Sequence, residues 1–67
     1  MTITLILNGK PFQLDGEPRI ETLLTQTATE GRFVVALNGE LLPRTCYATT
    51  FLQANDQIDI LFPIAGG

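Results

Sequence analysis

Ile3-Thr4-Leu5-Ile6-Leu7-Asn8-Gly9-Lys10-Pro11-Phe12-Gln13-Leu14 reads as two strands closed by a tight turn. Both central residues of a type I′ turn need positive φ, and Asn-Gly meets that need at low cost. A two-residue turn at Asn8-Gly9 pairs Leu7 with Lys10, Leu5 with Phe12 and Ile3 with Leu14. This register collects Ile3, Leu5, Phe12 and Leu14 on one face and sends Thr4 and Gln13 to the other. A slip of one residue would scatter that apolar set, so turn and pattern specify the same register. Pro11 has no N–H to give to a ladder, which predicts a sheet edge for the second strand.

Beyond this hairpin, Asp15-Gly16 turns the chain. The stretch Pro18 to Ala28 carries apolar residues at Ile20, Leu23, Leu24 and Ala28, the spacing of an amphipathic helix. Glu21 suits the positive end of the helix dipole. Arg19 stands where Ser, Thr or Asp would cap best, and the threonines of this region lower the intrinsic helix propensity. The helix is therefore predicted to depend on packing against the sheet, with Gly31 as its stop. Phe33-Val34-Val35-Ala36-Leu37 is apolar on both faces, as a strand covered on both sides would be. Asn38-Gly39 repeats the hairpin signal, Leu41-Leu42 returns, and Pro43 ends the pairing. Arg44 to Thr50 has no clean period and reads as a loop with a short helical turn, anchored to the core by Phe51-Leu52. After a turn at Ala54-Asn55-Asp56, Gln57 to Phe62 is a strand with Ile58, Ile60 and Phe62 inward and Asp59 and Leu61 outward.

Hairpin, helix, hairpin, short turn and strand predict an α+β fold. Its mixed sheet has four to five strands, with one main helix packed on one face. The last strand alternates most regularly, so it is expected to lie centrally, beside and parallel to the first. That arrangement is a β-grasp. Residues 1–67 are expected to form one domain, with a flexible tail over 63–67.

Composition removes most kinds of internal chemistry. Sixty-seven residues allow only a thin core. One cysteine and no histidine leave no internal disulfide and no Cys/His zinc site, and no metal site is expected. Without histidine or serine there is no hydrolytic triad, and no catalytic residue is assigned. The basic residues Lys10, Arg19, Arg32 and Arg44 are scattered and the net charge is −3, which argues against nucleic acid binding. The sequence has neither a signal-like start nor a bilayer-length apolar run, so a cytoplasmic protein without membrane contact is expected. The carboxylates are spread over surface elements. Cys46 has only Arg44 as a nearby cation, so no lowered thiol pKa is evident, and a sulfur-handling role for it stays open.

What is left is the closing segment Phe62-Pro63-Ile64-Ala65-Gly66-Gly67. Two glycines add flexibility without bulk, so such a tail can enter a channel where a β-carbon would clash. A terminal carboxylate is a poor electrophile. Adenylation would turn it into a mixed anhydride open to attack by sulfur or an amine. On this reading Gly67 carries the reaction, Gly66 gives clearance, and Ala65 and Ile64 guide the tail.

The sequence resembles the thiamine-biosynthesis sulfur carrier family (ThiS), which is ubiquitin-like. The resemblance rests on Val35-Ala36-Leu37-Asn38-Gly39-Glu40 with Leu42-Pro43-Arg44, on Asn55-Asp56-Gln57-Ile58, and on Ile64-Ala65-Gly66-Gly67. Ile20 followed by Leu23-Leu24 also fits, and together these segments span nearly the whole chain. The resemblance implies a co-substrate that binds no cofactor itself. A ThiF-like adenylating enzyme would activate Gly67 with ATP. A sulfur donor such as a cysteine desulfurase system would supply the sulfur, and a ThiG-like thiazole synthase would accept it. It also implies that the outer sheet face meets the activating enzyme, which nominates Leu61, Ala36 and Ile6. Phe62-Pro63 is closer to the related molybdopterin-synthase small subunit (MoaD), where the same carrier chemistry serves another pathway. A plain β-grasp interaction module and a lysine-linked protein modifier are the other readings.

Overall fold

The computed structural model describes residues 2–62; the expected tail, 63–67, lies outside the described residues. Strands β1 (Thr2–Leu7) and β2 (Lys10–Asp15) form the first hairpin, followed by helix α1 (Ile20–Gln26). Strands β3 (Val34–Leu37) and β4 (Glu40–Leu42) form the second hairpin. A single 3₁₀ turn at Arg44–Cys46 then leads to β5 (Gln57–Leu61). The five strands lie in the order β2-β1-β5-β3-β4. Only the β1–β5 pair is parallel, which makes the sheet mixed and the arrangement a β-grasp. The first hairpin has the register that Asn8-Gly9 dictates, with Leu7 opposite Lys10, Leu5 opposite Phe12 and Ile3 opposite Leu14. The Pro11 strand is an edge, as its missing N–H requires.

Helix α1 sets Ile20 and Leu23 against Leu5, Leu14, Val35, Leu52, Ile58 and Ile60, and this is the core. Its first turn has no side-chain cap. The orphan N–H groups of Ile20 and Glu21 donate instead to the carbonyls of Thr50 and Tyr47, at 3.3 and 3.2 Å. Arg19 ties the same loop from the other side. Its Nη1 donates to the Ala48 carbonyl at 3.2 Å, its Nη2 pairs with Glu17, and its guanidinium lies 6.0 Å from the Phe51 ring centroid. An arginine at the cap position is thus a tether between helix and loop. The helical threonines satisfy themselves locally, Thr25 Oγ1 donating to the Glu21 carbonyl and Thr27 Oγ1 to that of Leu23.

Three expectations need correction here. The helix stops at Gln26, well before Gly31. Ala28 takes the left-handed conformation, φ 54°, and the Ala28 and Thr29 N–H groups donate back to Thr25 and Leu24. That is a Schellman closure with alanine where glycine is usual. Phe51 does not anchor the loop in the core: it is 64% exposed, and Leu52 alone is buried. The backbone alternates there, so only one of two consecutive residues can face inward. Finally, β3 is not covered on both faces among the described residues, since Val34 is 45% exposed.

The alanine closure makes a prediction. A left-handed alanine costs about 1–2 kcal/mol, and glycine returns part of that gain as unfolded-state entropy. Ala28→Gly is expected to stabilise the protein by about 0.5–1 kcal/mol, seen as a higher urea midpoint at unchanged m-value.

Candidate functional site

The site is built around the end of β5. This strand lies between β1 and β3, so the chain runs from a central strand straight into Phe62 and then Pro63. Each neighbour holds β5 through an asparagine. At the first turn, Asn8 N–H donates to the Ile58 carbonyl at 2.9 Å, and Ile60 N–H donates to Asn8 Oδ1 at 2.8 Å. In a continuous parallel ladder, the second of these bonds would go to the Asn8 backbone carbonyl. The turn has carried that carbonyl away, and the side-chain oxygen stands in for it. The second turn repeats the substitution. Asn38 N–H donates to the Gln57 carbonyl at 2.7 Å, and Gln57 N–H donates to Asn38 Oδ1 at 2.9 Å. Both asparagines take positive φ, 50° at Asn8 and 51° at Asn38. Their sequence signal is the hairpin signal, so the second role is invisible until the strand order is known.

On the sheet face away from α1, Leu61 pairs with Val34, while Ala36 lies between Asp59 and Leu41. Leu61 is 51% and Leu41 71% exposed, and Ile6 is half-buried in register with Gln57. Ala36, nominated as an exposed contact, is only 8% exposed. Its short side chain sits in the trough between larger cross-strand neighbours, so it forms the floor of the patch. Val34 and Leu41 supply the exposed apolar area, and the sequence reading missed both. Their signal was available: Val34 is two residues before Ala36, and Leu41 pairs with it across the Asn38-Gly39 turn.

Phe62 corrects a second expectation. It points inward by alternation, but it lies past the end of the core and stays 58% exposed. Its ring meets Phe33 edge-on at 6.3 Å, and Phe33 stacks on Tyr47 at 6.2 Å. Gly67, Gly66, Ala65 and Ile64 lie outside the described residues. Cys46 is half-buried on the 3₁₀ turn. Among the described residues there is no group of three or more potential metal ligands, and no helix is long and apolar enough to cross a membrane.

The comparisons with known proteins converge. The ThiS family model matches residues 5–67. An uncharacterised protein, ycf40, of Pyropia yezoensis is 30% identical over 66 residues, covering 97% of this chain and 93% of that protein. Its counterpart in Porphyra purpurea is 26% identical over the same span. The crystal structure of the thiamine biosynthesis protein (ThiS) from Geobacter metallireducens is 30% identical. It superposes with a TM-score of 0.82 over 97% of this chain and all of that one. The solution structure of a thiamine biosynthesis protein from the same organism gives a TM-score of 0.78, over 97% of this chain and 88% of that one. With sequence, topology and the family match over residues 5–67 in agreement, the chain belongs to the ThiS family.

Proposed function

We propose that this protein is a sulfur carrier of thiamine biosynthesis, and that Gly67 bears the sulfur as a thiocarboxylate. One observation supports the reading most: the ThiS family match runs through Gly66-Gly67, and the segment that bears them follows a central strand held from both sides. The Gly67 carboxylate attacks the α-phosphorus of ATP in a ThiF-like enzyme, and pyrophosphate leaves. A persulfide sulfur from a cysteine desulfurase system attacks the acyl carbon, and AMP leaves. A thiol then reduces the S–S bond, which frees the thiocarboxylate. A ThiG-like thiazole synthase takes the sulfur into a carbonyl substrate in exchange for the carbonyl oxygen, and the carrier returns as a carboxylate. The protein is a co-substrate here, with ATP bound by its partner. Intact mass after incubation with ATP, such an adenylating enzyme and a persulfide donor tests the reading. A gain of one sulfur in place of one oxygen is expected at Gly67, and an unchanged mass with both partners active overturns it.

The patch of Leu61, Val34 and Leu41, with Ile6 at its margin and Ala36 as its floor, is the proposed docking face for the adenylating enzyme. A charge placed centrally in such an interface is costly to desolvate. Leu61→Glu is therefore expected to lower kcat/KM for adenylation about 10-fold or more. Because Leu61 is half-exposed, unfolding stability should stay within about 0.5 kcal/mol. Pyrophosphate release at limiting carrier, set beside a urea melt, checks both parts.

A further inference from the structure

The row of rings Tyr47, Phe33 and Phe62 runs from the margin of the core to beyond its end. Phe33 and Tyr47 lean on the core from its margin, and Phe62 lies beyond it. The row joins three parts of the chain. Tyr47 lies in the loop that caps α1, its carbonyl accepting from Glu21 N–H. Its ring stacks on Phe33 with an interplanar angle of 15°, just before β3. Phe33 then meets Phe62 at 61°, just after β5. Edge-on and stacked ring pairs at these separations are attractive beyond their buried area. Two adjoining strands therefore share a side-chain clasp one residue past the last rung, Val34 opposite Leu61.

We propose that Phe33, backed by Tyr47, is a positioning residue for the tail. By holding the Phe62 ring it fixes the point from which Pro63 onward leaves the body, and so the rate at which Gly67 is activated. The inference rests on the sulfur-carrier reading. It differs from the docking face, which lies on the opposite side of the sheet and governs encounter. A body that docks through its outer face binds equally well whether or not the tail base is held. Loss of the clasp therefore lowers kcat and leaves KM in place, because docked carriers with a misplaced tail are unproductive.

The test is a double-mutant cycle on Phe33→Leu and Phe62→Leu, read as steady-state adenylation by a ThiF-like enzyme with ATP. The ring–ring attraction corresponds to roughly a 2- to 10-fold bias, so each single variant is expected to lose that much kcat, with KM within about 2-fold. The double variant should lose no more than either single one, since the clasp is already open. Tyr47→Phe keeps the stack and should keep the rate. Nitrogen relaxation on the Phe62 amide should report a lower order parameter in Phe33→Leu. Additive losses would mean that Phe62 touches the partner directly, and an unchanged kcat or an unchanged order parameter in Phe33→Leu would equally overturn the proposal. Phe62 is more than half exposed, so its variant keeps the fold even if Phe33→Leu is weakened. A wild-type chain that takes up no sulfur overturns the carrier reading itself; a competent wild type with fully active variants overturns only this inference.

Discussion

Produced to end at Gly66, the protein is expected to fold as it does when produced to end at Gly67, and to take up less than about one hundredth of the sulfur. The core is made by residues from Leu5 to Ile60, so the truncation removes none of it. The shortened chain still offers a glycine carboxylate, and that makes the experiment informative. Its chemistry is unchanged, but its reach falls by one residue, about 3.3–3.6 Å of extended chain. A misplacement of about 1 Å at a reacting centre can already cost 100-fold in rate. A tail acting only as a flexible appendage would tolerate the loss. A tail measured against a fixed partner site would not. Gly66→Val asks the complementary question at constant length, because it adds side-chain bulk one residue before the carboxylate. Intact mass after a timed incubation with the adenylating enzyme, ATP and persulfide donor reads both variants. Near-normal thiocarboxylate in the truncated chain would falsify the assignment of Gly67.

How far the sequence could reach depends on the range of the interaction concerned. The first hairpin was legible because Asn8-Gly9 and the alternation of Ile3, Leu5, Phe12 and Leu14 impose the same register. The edge position of β2 followed from one missing N–H at Pro11. The central, parallel placement of β5 followed from its alternation and from the crossover that precedes it. What escaped is of another kind. Ala36 lies between Leu41 and Asp59, and alternation gave its outward direction without giving the cover of these larger neighbours. Phe62 obeys alternation yet stays exposed, because alternation predicts direction and does not predict where the core ends. Ala28 closes the helix against its own preference, at a position where the sequence has no glycine to signal the stop. Arg19 read as a poor cap because its partners, Ala48, Glu17 and Phe51, come mostly from a loop about 30 residues away in sequence. Of the candidate site, the reacting end was nominated from chemistry and the outer face from alternation, whereas the ring row Tyr47-Phe33-Phe62 became visible only in the fold.

Asn8→Gly is expected to destabilise the protein by about 1–3 kcal/mol, although glycine is the residue best suited to the turn. Positive φ at position 8 is no obstacle to glycine, so a view of Asn8 as a turn residue alone predicts little change. The β5 contact predicts otherwise. Without Oδ1, the Ile60 N–H points at a turn that has no carbonyl to offer, in the strand that carries two core residues, Ile58 and Ile60. Leaving a donor unmade there costs its desolvation. A domain of this size has about 3–10 kcal/mol in total, so the loss is a large share. Asn38→Gly removes the same kind of acceptor from Gln57 N–H, but that hydrogen bond is exposed and water can take its place, so the loss is expected to stay below about 1 kcal/mol. Aspartate separates the two sites. Asn8→Asp keeps an acceptor for Ile60 N–H and tolerates the left-handed turn, so it is expected to be mild. Asn38→Asp keeps the acceptor for Gln57 N–H but loses the amide donor that faces Asp56 Oδ1 at 3.3 Å, and sets two carboxylates against each other. Urea melts of the four single variants check this order: Asn8→Asp near wild type, Asn38→Gly and Asn38→Asp modestly below it, and Asn8→Gly lowest. Asn8→Gly within about 0.5 kcal/mol of wild type would mean that water serves the Ile60 N–H as well as the asparagine does. The grip on the end of β5 would then have to come from its ladder with β3 alone.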